Sequence, residues 1–169
     1  ANNAKATFFM VGKEIISFPD EVKRMKALGC ELGNHTYDHT DLATLSASDI
    51  SSQISRVDQE LVNLTGQGAT VVRPPYGSVN DTVKATVGTP MILWSIDTLD
   101  WKTQDVQATV EEVMNNVQDG SIILMHDIYS TSVDAAEILI PQLIEDGYQV
   151  AITHSNAPQV GMIHTAMNE

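Results

Sequence analysis

Apolar positions along the chain form short continuous runs, separated by longer stretches in which apolar residues recur every three or four positions. The runs have the length of strands and lie at residues 6–11, 30–32, 69–72, 91–96, 122–125 and 148–152. Continuous apolar runs are typical of parallel strands, because helices cover both faces of a parallel sheet. The alternation of strands with helices therefore predicts an α/β fold with parallel strands and crossover helices.

The clearest helical pattern lies between residues 50 and 64, where apolar side chains alternate spacings of four and three. Ser48 or Asp49 is expected to cap this helix. Similar spacing predicts helices at residues 22–28, 106–117 and 133–144. Pro141 should kink or interrupt the last of these, because proline lacks the N–H of the helical hydrogen bond.

The number of predicted strands limits the architecture. A closed eight-stranded (β/α) barrel typically takes about 250 residues, whereas this chain has 169 residues and six strand-like runs. We therefore expect one domain over residues 1–155, built as a distorted or incomplete (β/α) barrel. Residues 156–169 show no clear periodicity and are interpreted as a C-terminal tail.

Composition narrows the range of partners. The chain carries 9 basic and 22 acidic residues, a net charge of -13 at pH 7, which disfavours nucleic acid as a partner. Its single cysteine, Cys30, excludes an intramolecular disulfide and any multi-cysteine metal site. No segment approaches the roughly 20 apolar residues needed to span a bilayer.

Chemically capable side chains cluster where the predicted strands end. Four motifs follow strand-like runs: His35-Thr36-Tyr37-Asp38-His39, Arg73-Pro74-Pro75-Tyr76-Gly77, Asp97-Thr98-Leu99-Asp100-Trp101 and Leu124-Met125-His126. The carboxyl ends of parallel strands share one face of a sheet or barrel. We therefore expect these groups, although far apart in sequence, to form a single pocket.

The histidine pair has two interpretations. On a helical turn, His35 and His39 would project from the same side and could share one metal ion. An isolated pair of this spacing is more often a pair of surface or capping histidines. The position at a strand end, with Asp38 nearby, supports the metal site about as well as the structural interpretation.

The other motifs supply an acid, a cation and an aromatic ring. A buried Arg73 would need a carboxylate partner, which Asp97 or Asp100 could provide. Trp101 would either stack on a ligand such as a sugar or anchor the core. His126 follows an apolar strand and is the best candidate for a general acid, although a lone histidine there is more often structural.

The order and spacing of the four motifs resemble those of the polysaccharide deacetylases, the NodB-homology domains of carbohydrate esterase family four. The resemblance runs from about residue 5 to residue 152 and includes Lys-Ala-Thr-Phe-Phe-Met-Val-Gly at its start. It implies a distorted (β/α) barrel and metal-dependent hydrolysis of acetyl groups on a polysaccharide. Peptidoglycan N-acetylglucosamine is the favoured substrate over chitin or acetylxylan, in an extracellular or cell-wall-associated protein.

The resemblance also implies roles for individual residues. His35 and His39 would bind a divalent metal ion, in the first place zinc, with cobalt, nickel or manganese as alternatives. His126 would be the general acid, oriented by Asp100, with Arg73 in the same network. The backbone N–H of Tyr76 would face the oxyanion. The residues expected to contact substrate are Pro74, Tyr76, Trp101 and Leu124.

One family motif has no counterpart here. Thr-Phe-Asp-Asp-Gly-Pro, whose aspartates would serve as general base and third metal ligand, does not occur in the sequence. We therefore expect the first, N-terminal strand to be missing from this chain or to associate as a separate peptide, and the chain alone to be almost inactive. Two alternatives are a carbohydrate-binding pseudoenzyme without the base, and an unrelated metallohydrolase with its third ligand inside this chain.

Overall fold

The computed structural model describes residues 4–152 and 162–167. The chain divides into two compact units. The first combines the residues up to Phe8 with those from Trp94 onward, and the second comprises residues 9–93. In the described part of the chain, every helix is too short or too polar to cross a membrane.

Short strands alternate with helices in the described residues. The strands are β1 (Thr7–Met10), β2 (Glu31–Asn34), β3 (Ile96–Asp97), β4 (Ile122–Met125) and β5 (Met162–Met167). The α-helices are α1 (Gly12–Ser17), α2 (Pro19–Ala27), α3 (Ala47–Thr65), α4 (Asp81–Thr86), α5 (Asp100–Thr103), α6 (Val106–Asn116) and α7 (Ser130–Glu145). Two 3-10 helices lie at Leu42–Thr44 and Pro75–Gly77.

Strands β1 and β2 are neighbours, and the strand predicted at 69–72 is reduced to the bridging residue Val72. Of the run predicted at 91–96, Met91 forms a single bridge and Ile96 begins β3. Val72 forms parallel bridges to Asn34 and to Met91. Prolines flank both segments, at positions 74, 75 and 90. Because a proline has no N–H to donate, neither segment can extend its ladder past them.

Helix α3 carries much of the core of the second unit. Its residues Ile50, Val57 and Leu61 are fully buried, as the apolar spacing predicts. The helix is capped by Ser46, whose hydroxyl accepts from the backbone N–H of Asp49. The prediction of Ser48 or Asp49 as the cap was therefore wrong, because the helix begins one residue before Ser48.

In the first unit, β4 pairs in parallel with β3 on one side and with β5 on the other. The core between these strands, α6 and α7 includes Val113, Ile123 and Leu139, all fully buried. The α/β class with parallel strands is thus confirmed. Taken individually, neither unit closes its described strands into a barrel.

One expectation for the first unit was wrong, and the expected interruption of α7 at Pro141 does not occur. Residues 148–152 form no strand, although Val150 is buried in the core and its carbonyl accepts from Lys5 N–H at 3.3 Å. Instead β5, inside the segment interpreted as a tail, pairs with β4; residues 156–161, 168 and 169 lie outside the described residues. Helix α7 also continues through Pro141. The buried Leu139 and Leu143 hold it to the core on both sides of the lost hydrogen bond.

Candidate active site

Two histidines that follow β2 converge at their ring nitrogens. His35 is buried, and its Nδ1–H donates to the carbonyl of Arg73 over 2.5 Å. In the neutral ring this leaves the lone pair on Nε2. His39 Nε2 lies 3.2 Å from that atom, and the two rings meet edge to face with centroids 4.8 Å apart. The loop thus presents two imidazole nitrogens at one point.

The convergence comes from an irregular loop and not from the helical turn that the spacing suggested. Thr36 and His39 both have left-handed backbone angles, with φ of 67° and 58°. Such angles are costly for residues other than glycine, and most of all for β-branched threonine. The side chain of Asn34 supports the loop by accepting the N–H of Thr36 at 2.9 Å.

The histidine pair fits a shared metal ion. Tetrahedral zinc with nitrogen ligands at about 2.0–2.1 Å places two ligand atoms about 3.3 Å apart, close to the 3.2 Å between His35 Nε2 and His39 Nε2. The carboxylate of Asp38 is directed elsewhere, since it accepts from Gln53 Nε2 at 2.9 Å and pairs with Arg56 at 3.5 Å. Among the side chains that the structure describes, no three of His, Cys, Asp or Glu group closely enough to hold a metal.

Arg73 is buried at the start of the loop that follows the Val72 bridge, with 1% of its surface exposed. Its Nε–H and Nη2–H donate to the carbonyls of Ile92 and Leu93 at 3.2 and 3.0 Å. The guanidinium carbon lies 4.2 Å from the centroid of the Phe9 ring. Burial lowers the pKa of Arg73 to about 9, so the side chain remains a cation at neutral pH.

The same loop places an aromatic ring beside the histidines. Pro74 is buried, whereas the side chain of Tyr76 is exposed. The backbone of Tyr76 is left-handed, with φ of 58°. Its ring meets His39 edge to face at a centroid distance of 5.1 Å. Tyr76 therefore forms an exposed wall next to the histidine pair.

The first unit contains a buried aspartate–histidine pair. Asp100 follows the left-handed residue Leu99 at the start of α5, and His126 follows the end of β4. The Asp100 carboxylate accepts from His126 Nδ1 at 2.8 Å and from the His126 backbone N–H at 2.7 Å. It also accepts from the Ser132 hydroxyl at 2.6 Å and from Trp101 N–H at 2.9 Å. Four donors thus converge on one carboxylate.

These contacts determine the charge of Asp100 and the orientation of His126. Burial alone would raise the pKa of Asp100, but hydrogen bonds from His126 and Ser132 outweigh it and lower the pKa below the ordinary 3.8. The carboxylate is therefore ionised at neutral pH, and its hydrogen bond to Nδ1 fixes the orientation of the His126 ring. Because Nδ1 faces Asp100, Nε2 is the nitrogen that can exchange a proton with another group.

Neighbouring side chains of this unit differ in exposure. Trp101 is 40% exposed and can offer a ring face to a ligand, whereas Leu124 is buried in β4. Burial raises the pKa of Asp127, next to His126, to about 6. Its Oδ1 atom is buried and has no hydrogen-bond partner among the described residues.

The predicted site residues are distributed over both units. Those of the second unit are His35, His39, Arg73, Pro74 and Tyr76; those of the first are Asp100, Trp101, Leu124 and His126. Within its own unit, each group contains one close pair, the two histidines and the Asp100–His126 pair. The participation of Arg73 in the Asp100–His126 network, and the catalytic roles implied by the resemblance, stay predictions.

Sequence reasoning missed the side chains that support these groups. Asn34, at the end of the β2 run, supports the histidine loop, and Ser132 in α7 donates to Asp100. A polar residue closing an apolar strand, as Asn34 does, was a usable signal. Gln53 of α3, which donates to Asp38, carries no such signal, because glutamine is common on exposed helix faces.

Comparison with known proteins adds a family relationship. Residues 1–89 match the family described as polysaccharide deacetylase. Over 92% of this chain, the sequence is 39% identical to the peptidoglycan-N-acetylmuramic acid deacetylase PdaC of Bacillus subtilis. Over 88% of the chain, it is 37% identical to the peptidoglycan-N-acetylglucosamine deacetylase PgdA of Listeria monocytogenes. The chain spans about a third of the length of these relatives, 33% and 32% respectively.

Solved structures show the same relationship. The structure of PdaC from Bacillus subtilis matches with a TM-score of 0.87 and 38% identity, over 90% of this chain and 75% of that one. A pseudoenzyme of carbohydrate esterase family four from Bacillus anthracis matches with a TM-score of 0.85 and 28% identity, over 99% of this chain and 60% of that one.

Proposed function

Because this chain belongs to the polysaccharide deacetylase family, we propose that it removes N-acetyl groups from a polysaccharide by metal-dependent hydrolysis. The observation that carries the proposal is the buried Asp100–His126 pair, with its ring hydrogen bond of 2.8 Å. Amide hydrolysis needs such an acid, since an amine leaves readily only when it is protonated. The deacetylases among the relatives support the same reaction.

His35 and His39 are the residues that would hold the metal ion, and their two imidazole nitrogens suit zinc first, with cobalt, nickel and manganese as alternatives. When bound, the metal would supply a Lewis acid that polarises the acetyl carbonyl and lowers the pKa of water. The hydrogen bond from His35 Nδ1 to the Arg73 carbonyl orients that ring for the task.

The remaining side chains have separate tasks in the proposed reaction. His126 gives its Nε2 proton to the leaving nitrogen, while Asp100 holds the ring and stabilises its positive charge. The backbone N–H of Tyr76 donates to the oxyanion, an interaction worth about 3–4 kcal/mol in comparable enzymes. The exposed ring of Trp101 is suited to stack against a sugar.

The proposed substrate is the N-acetylglucosamine of peptidoglycan, which places the protein outside the cell or at the wall. The relatives act on both sugars of that polymer by name, N-acetylglucosamine for PgdA and N-acetylmuramic acid for PdaC. The product amine is cationic at neutral pH, and the net charge of -13 would attract it weakly. Chitin and acetylxylan are the alternatives that the assay must include.

A carbohydrate-binding pseudoenzyme is not favoured. One structural relative is a pseudoenzyme, but this chain retains both the histidine pair and the oriented acid. Membership of the family also removes the hypothesis of an unrelated metallohydrolase.

The test measures acetate release from peptidoglycan, chitooligosaccharides and acetylxylan in the presence of zinc. The protein used is this chain joined to a preceding strand that carries the two aspartates of the family's first motif. We expect release from peptidoglycan, loss of release on chelation, and a fall of about 10²–10⁴-fold for His126→Ala. Zinc-dependent release that is unchanged in the His126 variant would contradict the assigned acid. Binding of the polymers without any release would support the pseudoenzyme.

A further inference from the structure

One side chain of α3 holds the backbone of the histidine loop. Gln53 Oε1 accepts the backbone N–H groups of both Tyr37 and Asp38 at 2.9 Å. Its Nε2 donates to Asp38 Oδ2, also at 2.9 Å. The amide of Gln53 therefore uses its acceptor and its donor on two consecutive residues of the loop, immediately before His39.

The loop is held from other directions as well. The guanidinium carbon of Arg56 lies 3.4 Å from the centroid of the Tyr37 ring, and its Nη1 lies 3.5 Å from Asp38 Oδ2. On the α1 side, the N–H of Gly12 donates to the carbonyl of Thr36 at 3.0 Å. Arg56 and Asp38 are about half exposed, so their ion pair contributes little. The Gln53 amide is the contact that pairs otherwise unmatched backbone donors.

Such support is needed because the loop is strained. Thr36 and His39 are left-handed, with φ of 67° and 58°, and angles of this kind persist only where the surroundings enforce them. Without Gln53, the N–H groups of Tyr37 and Asp38 would have to turn towards water. That rotation would carry His39, the next residue along the chain, away from His35.

We propose that Gln53 is a positioning residue that keeps His39 Nε2 within ligand distance of His35 Nε2 and so sets the metal affinity of the pair. This inference rests on the proposed function as far as the metal is concerned. Its geometric part, the holding of the loop, does not depend on a metal. Gln53 acts on His39 through the backbone, because its Oε1 accepts the N–H groups of Tyr37 and Asp38.

Glutamine is required because the position needs an acceptor and a donor together. A glutamate would keep the acceptor for the two N–H groups but would repel the Asp38 carboxylate. A methionine of similar length would supply neither hydrogen bond. The double variant Gln53→Glu/Asp38→Asn exchanges the two side-chain functions. The carboxylate at position 53 can accept the loop N–H groups, and the amide at position 38 can donate to that carboxylate.

The experiment compares Gln53→Met, Gln53→Glu/Asp38→Asn and the control Gln59→Met with the unmodified 169-residue chain. Gln59 lies on the same helix and donates to the side chain of Asn63, far from the loop in sequence. Two readouts are taken. In the absence of metal, amide hydrogen exchange and NOEs between the His35 and His39 rings measure the conformation of the loop. Competition with a chelator measures the affinity for Zn²⁺.

We expect Gln53→Met to speed exchange at the Tyr37 and Asp38 amides, to weaken the NOEs between the rings, and to lower zinc affinity roughly 10–100-fold. The double variant should recover most of each change, and Gln59→Met should change none. Unchanged amide exchange and NOEs in a folded Gln53→Met chain would overturn the inference. If Gln53→Met does not fold, the double variant is the test. Amide exchange and NOEs close to those of the unmodified chain would support the inference, and fast exchange with weak NOEs would overturn it.

The two proposals can fail separately. If the unmodified chain binds no zinc, but Gln53→Met releases the amides and separates the rings, the metal proposal fails and the positioning role stands. If the unmodified chain binds zinc and Gln53→Met alters neither readout, the metal proposal stands and the positioning role is overturned.

Discussion

At the scale of single residues, the hydrogen bonds to the Asp100 carboxylate contribute to the stability of the fold. Its carboxylate accepts from His126, Ser132 and Trp101 while fully buried. We predict that Asp100→Asn lowers the free energy of unfolding by about 2–4 kcal/mol, because an amide turns a donor towards these donors and the charge-assisted bonds are lost. Urea unfolding at neutral pH measures the change.

A matched control is Asp97→Asn, at a residue that accepts the backbone N–H of Leu99 at 3.0 Å and is only partly buried. Asp97→Asn should lower the free energy of unfolding much less than Asp100→Asn does. The pKa of Asp100 is lowered from 3.8 by folding, so its contribution is present above that pH and is lost as the pH falls below it. Equal losses in the two variants would show that the four-donor arrangement contributes no special stability.

Asp127 has the opposite pH dependence. Burial raises its pKa from 3.8 to about 6, so between these values the unfolded chain ionises while the folded chain stays protonated. Stability is therefore lost as the pH rises through this window. We predict that Asp127→Asn gains up to about 3 kcal/mol relative to the unmodified chain between pH 4 and pH 7, at about 1.4 kcal/mol for each pKa unit.

Unfolding in urea at a series of pH values tests this prediction. The difference between Asp127→Asn and the unmodified chain should grow from pH 4 to pH 7 and then remain constant. A difference that does not vary with pH would mean that Asp127 ionises normally in the folded protein. Asp100→Asn serves as the comparison, because its pH effect lies at lower pH and has the opposite sign.

At the scale of elements, the contact between β1 and β2 allows no side chain at Gly33. A Cβ built there would lie 2.5 Å from Phe9 Cδ1 and 2.7 Å from Phe9 Cε1. Phe9 is fully buried, and the guanidinium of Arg73 covers its ring. We predict that Gly33→Ala destabilises the protein by about 1–3 kcal/mol, because the ring must move within a packed core. Thermal unfolding measures the loss.

The control is Gly88→Ala, since a Cβ at Gly88 meets no atom within 4 Å. That variant should be neutral or slightly stabilising, because alanine reduces the freedom of the unfolded chain. If both variants unfold at the same temperature, the Phe9 ring must have room that the structure does not show.

At the scale of the whole molecule, the proposed reaction needs a base and a third metal ligand, which the family's first motif would carry. The Asp-Asp motif is absent from the sequence, and the described residues contain no third metal ligand beside the histidine pair. We predict that the 169-residue chain releases acetate from peptidoglycan at least about 10²-fold more slowly than the same chain joined to a strand carrying both aspartates.

This comparison uses identical zinc and substrate concentrations, with a preceding strand that carries two asparagines in place of the aspartates as the control. That control separates the effect of the carboxylates from the effect of the added strand itself. Robust zinc-dependent release by the 169-residue chain itself would place the base within these residues, and the account of the absent motif would be wrong.

The sequence by itself determined the four longer helices, α2, α3, α6 and α7, and which ends of strands carry chemistry, but it did not predict the short helices α1, α4 and α5. Apolar spacing suffices for α3 and α6, because one helical face must be buried wherever the helix packs. The four motifs sufficed for the family, since their order does not depend on packing. Periodicity could not show that residues 148–152 form no strand, because an apolar run such as the one around Val150 can be buried without pairing with a neighbouring strand.

Only the tertiary structure decided how the site groups are held. The approach of His35 to His39 depends on left-handed angles at Thr36 and His39. Besides the neighbouring Asn34, the distant residue Gln53 holds the loop between them. Asp100 reaches His126 across 26 positions of sequence. Hydrogen bonds are directional and short, so contacts between such distant residues exist only once the backbone has been placed. Residue type alone could nominate these groups but could not orient them.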